Sequence, residues 1–104
     1  MAKKKNFDKI LIERHTEFER QDDKFLITEV DGEAVIMNTE KGTYFGFNQT
    51  TTVIWNILKE PISFEKIIEQ LLEKFEVEEE ICKKDTKEVL INLCRLEVIN
   101  ILSK

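Results

Sequence analysis

Between residues 25 and 47 the chain alternates short apolar runs with turn-forming residues. Phe25 to Val30 (FLITEV) and Glu33 to Asn38 (EAVIMN) are separated only by Asp31 and Gly32. Asp-Gly supplies the positive φ angles of a type I′ turn, so the two runs predict a tight hairpin. A second turn over Thr39 to Gly42 leads into a third short strand, Thr43 to Phe47 (TYFGF), and the three strands make an antiparallel meander.

At Asn48 the pattern becomes helical. The Asn48 side chain is suited to capping free N–H groups, and Val53, Ile54, Ile57 and Leu58 follow at helical spacing with Trp55 beside them. This helix stops before Pro61. Ser63 is a good N-cap for a second helix, in which Phe64, Ile67, Ile68, Leu71, Leu72 and Phe75 recur at i, i+3, i+4, i+7, i+8 and i+11. Glu78, Glu79 and Glu80 suit the N-terminus of a third helix, which runs to about Glu97. Its predicted core stripe is Cys82, Thr86, Val89, Leu93 and Leu96. A short apolar tail, Val98 to Leu102, follows.

Strands segregated from helices predict an α+β fold. The first 20 residues fit two readings, because Phe7, Ile10, Leu11 and Phe18 suit a helix while Ile10 to Ile12 could open a strand. Residues 1–20 are therefore set apart as a basic tail with an unassigned segment, and residues 21–104 form the expected domain.

Composition narrows the function classes. At 104 residues and 41% hydrophobic content the chain supplies one core. No apolar run approaches the roughly 18 residues of a membrane span, and the lysine-rich start, Met1 to Asn6, lacks a signal-like apolar stretch, so a cytoplasmic protein without a membrane partner is expected. The formal charge is −5, and setting aside Lys3, Lys4 and Lys5 takes the remainder to −8, which argues against nucleic acid as the ligand.

Catalytic and metal chemistry lack their residues. There is one histidine, His15, in a polar stretch, with no nucleophile elbow, no C-x-x-C and three scattered glycines. No enzyme activity, cofactor or metal site is expected. Cys82 and Cys94 stand on one helix, where ~1.5 Å of rise per residue holds them about 18 Å apart, too far for a disulfide. Two free thiols in or near the core are expected, with Cys94 the more reactive because it is rotated about 120° from Cys82. Trp55 reads as a core residue. Gly46 is less easily explained by packing, since glycine weakens a strand interior and marks bulges or a close approach of another backbone.

The run from Asp31 to Asn38, then Thr39 to Gly42, Tyr44-Phe45-Gly46-Phe47-Asn48 and Ile54-Trp55 resembles the family of the pyrroloquinoline quinone biosynthesis protein D. The domain of that family is also known as the precursor-peptide recognition element of ribosomally made, modified peptides. The similarity continues through Ile67, Leu71, Asp85, Leu90, Leu93, Val98 and Ile99, and so covers about Phe25 to Ile99. Two positions depart from the family pattern. Glu97 stands where such sequences usually carry glycine, and Thr52 falls in the small-residue part of the first helix.

The resemblance implies a winged-helix-like domain that captures the leader segment of a precursor peptide and presents it to a separate modifying enzyme. It also implies that the edge of the third strand and the facing side of the third helix do the binding. An edge strand offers unpaired N–H and C=O groups to an extended peptide, which supports the same placement. The expected contacts are Thr43, Tyr44, Phe45, Gly46 and Phe47 on the strand, with Leu90 and Cys94 on a flank of the helix. Ile91 adds an apolar candidate, and Lys87 could pair with a leader carboxylate. The rival reading is a winged helix-turn-helix DNA-binding regulator, based on Lys83, Lys84, Lys87 and Arg95 of the third helix; four basic residues in an acidic domain make a poor phosphate surface.

Overall fold

Asp31 and Gly32 take φ angles of 54° and 80°, the pair that a type I′ turn needs, and they close the first hairpin as expected. In the computed structural model, which describes residues 10–102, this hairpin joins strands β2 (Phe25–Val30) and β3 (Glu33–Asn38) in the register Phe25 to Asn38 through Val30 to Glu33. The lysine tail and Phe7 lie outside the described residues. Strand β4 (Tyr44–Gly46) pairs with β3, Ile36 opposite Phe45, giving the meander β2-β3-β4.

One face of this sheet enters the core. Ala34 and Ile36 are fully buried, and Phe25 and Phe45 are half-buried on the same side. The opposite face carries the cross-strand rows Leu26-Met37-Tyr44 and Thr28-Val35-Gly46.

Helix α1 (Gln49–Ile57) starts where the Asn48 Oδ1 accepts the Thr51 N–H at 2.8 Å. Helix α2 (Phe64–Lys74) is capped by Ser63, whose Oγ accepts the Lys66 N–H at 3.3 Å, and it buries Phe64, Ile67, Ile68 and Leu71. The predicted stripe ends one residue early, because the backbone turns extended at Phe75 and leaves that ring 43% exposed. Helix α3 (Glu79–Arg95) follows.

A second sheet has no clear sequence signal. Strands β1 (Glu17–Arg20), β5 (Ile62–Ser63) and β6 (Ile99–Leu102) pair antiparallel in the order β5-β1-β6. They are too short to show an alternating pattern between turn signals. Phe18 of β1 is fully buried and Ile12 nearly so, so the packed core includes residues N-terminal to the expected domain start at 21.

This second sheet also corrects the orientation of α3. The buried residues of that helix are Cys82, Thr86, Leu90, Leu93 and Cys94, whereas Val89 is half-buried and Leu96 is 41% exposed. Helix α3 packs on β6 as well as on α2, and this additional apolar neighbour turns Leu90 and Cys94 inward. Neither cysteine forms a disulfide and both are buried, to 6% and 8% exposure, so the expected contrast in reactivity loses its basis.

At the end of α3, Glu97 has a φ of 63°. Its N–H donates to the Cys94 carbonyl at 2.9 Å and the Val98 N–H to the Leu93 carbonyl at 3.2 Å, the two bonds of a Schellman cap. The left-handed residue of that cap is the position at which the resembled family carries glycine.

Candidate peptide-binding site

Strand β4 is the last strand of its sheet, and no strand among the described residues pairs with its outer edge. Its hydrogen-bonding phase follows from its neighbours. The Asn38 N–H donates to the Thr43 carbonyl at 2.7 Å and the Phe47 N–H to the Ala34 carbonyl at 2.8 Å. In an antiparallel ladder the residues alternate, so Thr43, Phe45 and Phe47 address β3 while Tyr44 and Gly46 direct N–H and C=O outward. These two residues offer a peptide its partner groups.

The strand is held from behind by aromatic contacts. Phe45 stacks on Phe47 with centroids 6.3 Å apart, and Phe47 meets Trp55 edge-on at 5.6 Å. Trp55 is 1% exposed, a core residue as its context predicts. The guanidinium of Arg20 lies 4.3 Å from the Trp55 ring centroid. The same group donates through Nη1 to the Trp55 carbonyl at 3.3 Å and is held by two 3.0 Å bonds to Asp22. The sequence did not single out Arg20, because a cation on a short strand gives no signal until its aromatic partner is placed.

Where β4 gives way to α1, the Ala34 N–H is accepted by the Thr52 hydroxyl at 2.9 Å, in a buried bond. Threonine at this small-residue position is thus a tie between α1 and the sheet, and it is 2% exposed.

A cavity of about 360 Å3 is lined by Phe25 and Asn38 of the meander, by Lys41 of the turn before β4 and by Cys94, Leu96 and Glu97 at the end of α3. A second, more apolar cavity of about 180 Å3 is lined by Thr50 and Ile54 of α1, Leu71 of α2 with its C-cap Phe75, and Asp85 and Val89 of α3. Asp85, Val89 and Leu96 fall on one flank of α3 and its C-cap at i, i+4 and i+11, and the two cavities border this flank.

The expected contact residues divide accordingly. Tyr44 is 70% exposed, Thr43 and Gly46 are also open to solvent, Phe45 is half-buried and Phe47 is buried. A Cβ built on Gly46 meets nothing within 4 Å, so packing inside the chain does not require glycine there. Cys94 borders the first cavity, while Leu90 is fully buried beneath the helix. Lys87 lies on another flank, its ammonium 5.7 Å from the Phe64 centroid, and Ile91 lines a shallow cavity with Glu88, Asn92 and Arg95. Val89 and Leu96, expected in the core stripe, instead line the second and the first cavity.

The basic stripe on α3 is partly engaged. Lys83 pairs with Glu79 at 3.1 Å, one turn back, and that hydrogen bond and charge hold its pKa above the ordinary lysine value. Among the described residues no cluster of three or more His, Cys, Asp or Glu is placed to hold a metal ion, and no helix is long and apolar enough to cross a membrane.

The family described as Coenzyme PQQ synthesis protein D (PqqD) matches residues 33–99. Two solved structures share the fold. TbiB1 in complex with the TbiA(beta) leader peptide superposes with a TM-score of 0.72 at 23% identity, covering 83% of this chain and 99% of that one. Lasso peptide synthetase B1 complexed with the leader peptide gives 0.67 at 20% identity, covering 83% and 98%. No curated protein sequence matches the chain.

Proposed function

The chain belongs to the coenzyme PQQ synthesis protein D (PqqD) family, and on that premise we propose that it binds the leader segment of a ribosomally made precursor peptide and presents it to a separate modifying enzyme. It does this in the cytoplasm and without chemistry of its own. The observation that carries the reading is the open edge of β4, with the N–H and C=O groups of Tyr44 and Gly46 turned outward. Main-chain pairing along an edge strand gives affinity, and neighbouring pockets select side chains. That both structural relatives hold a leader peptide supports the same use of this fold.

In this arrangement an extended leader adds an antiparallel strand along Thr43 to Phe47. In this reading its side chains reach the flank of α3 that carries Val89, Leu96 and the rim of Cys94, with Leu90 buried beneath. Presentation acts by tethering, which raises the effective concentration of the precursor at the enzyme. DNA binding has little to draw on, with Lys83 already paired and Lys87 lying over Phe64.

The test is reconstitution with a precursor and enzyme recovered by co-purification. Adding this protein should accelerate modification of the full-length precursor and leave a leaderless precursor unaffected. Equal processing of the full-length precursor with and without the protein contradicts the proposal.

A further inference from the structure

Arg20 is mounted on the second sheet and reaches the aromatic support of the first. Its backbone is fixed on β1, where it stands opposite Ile99 of β6, and the next residue, Gln21, donates its N–H to the Val98 carbonyl at 2.8 Å. From that mount the guanidinium works in two directions. Nε and Nη2 each donate to the Asp22 carboxylate at 3.0 Å, which fixes the plane of the fork. Nη1 donates to the Trp55 carbonyl at 3.3 Å, and the cation lies 4.3 Å from the Trp55 ring centroid. The Arg20 side chain is 13% exposed, so its attraction to the ring acts with little competition from water.

These contacts meet needs at Trp55. Helix α1 has no basic residue in its last turn, and the Trp55 carbonyl belongs to that turn, so Arg20 supplies the cation that a helix end favours. The indole Nε1 is buried without a hydrogen-bond partner among the described residues, so the ring is not held through its polar atom. It is held by its neighbours, with the guanidinium over its face and Phe47 edge-on at 5.6 Å. Phe47 directly follows β4, its N–H bonded to the Ala34 carbonyl and its ring stacked on Phe45. Contacts therefore run without a break from β1 through Trp55 to the inward residues of the binding strand.

We propose that Arg20 is a positioning residue for leader binding. By fixing Trp55 it fixes Phe47 and Phe45, and so holds the outward N–H and C=O groups of Tyr44 and Gly46 in the extended line that an added strand needs. The inference rests on the reading of β4 as the edge that takes the leader. Arg20 lies N-terminal to the family match at residues 33–99, so this support comes from outside the matched region. Without it the strand must be ordered when the peptide arrives, which weakens binding.

The test is titration calorimetry with the leader recovered by co-purification, at a temperature where every variant is folded. Arg20→Met keeps an unbranched apolar stem but loses both fork and charge, and it should weaken leader binding about tenfold. Arg20→Lys keeps the charge but cannot serve the carboxylate and the carbonyl with one planar fork, so its affinity should fall between parent and Arg20→Met. Asp22 is 53% exposed, and Asp22→Asn, which loosens the fork and leaves the cation in place, should weaken binding about threefold. Two readouts need no leader. The chain has one tryptophan, and in free Arg20→Met its near-ultraviolet circular dichroism should diminish and the exchange protection of the Phe45 and Phe47 amides should fall. A purely structural role predicts a lower melting temperature with unchanged affinity of the folded protein. Affinity within about twofold of the parent in both Arg20 variants therefore overturns the proposal, whatever the melting temperature. A parent chain that binds no leader overturns the reading of the edge itself, and this inference with it.

Discussion

Glu97 is the residue at which backbone geometry and side-chain chemistry disagree. A φ of 63° suits glycine, and the Schellman bonds at Cys94 and Leu93 keep the backbone there despite the Cβ. Glu97→Gly should therefore stabilise the fold by about 1 kcal/mol, read as a shift of the denaturant midpoint with an unchanged slope. An equal or lower midpoint means that contacts of the glutamate side chain outweigh the strain. Thr52, the other departure from the family pattern, has the opposite character, because its hydroxyl is the acceptor for the buried Ala34 N–H. Thr52→Val is nearly isosteric and leaves that donor unpaired, so it should cost about 1 to 3 kcal/mol. Thermal unfolding checks it, and a loss below about 0.5 kcal/mol, the range of ordinary surface substitutions, would show that the bond contributes little.

Among the elements, β4 is short and carries the binding claim. Its Gly46 N–H points away from β3, so proline at 46 removes no bond of the sheet, in keeping with the tolerance of edge strands for proline. Gly46→Pro should leave stability within about 1 kcal/mol of the parent and lower leader affinity at least about tenfold, measured by titration calorimetry. Unchanged affinity places the peptide elsewhere. The meander, the three helices and the caps at Asn48 and Ser63 were legible in the sequence because each has a local cause: a turn dipeptide, a capping side chain, an apolar period. The second sheet was not, because β1, β5 and β6 are brought together by tertiary packing, with Phe18 at their centre. That omission carried into the site. Without β6 against α3 the periodicity points Val89 and Leu96 into the core, whereas the packed helix buries Leu90 and Cys94 and leaves Val89 half-buried and Leu96 exposed.

At the scale of the molecule, two three-stranded sheets and three helices among the described residues enclose one core, and the outer edge of β4 stands unpaired beside it. The aromatic series from Phe45 through Phe47 to Trp55, clamped by Arg20, makes the edge a rigid part of that core. Preorganisation of this kind lowers the ordering cost of binding. The measurement closest to the central claim is amide hydrogen exchange, resolved residue by residue, with and without the leader recovered by co-purification. Strand addition predicts an alternating signature: the Tyr44 and Gly46 amides, which point outward, gain strong protection, while Phe45 and Phe47, already bonded to β3, change little. Protection confined to α2, or spread over β4 without that alternation, contradicts the account.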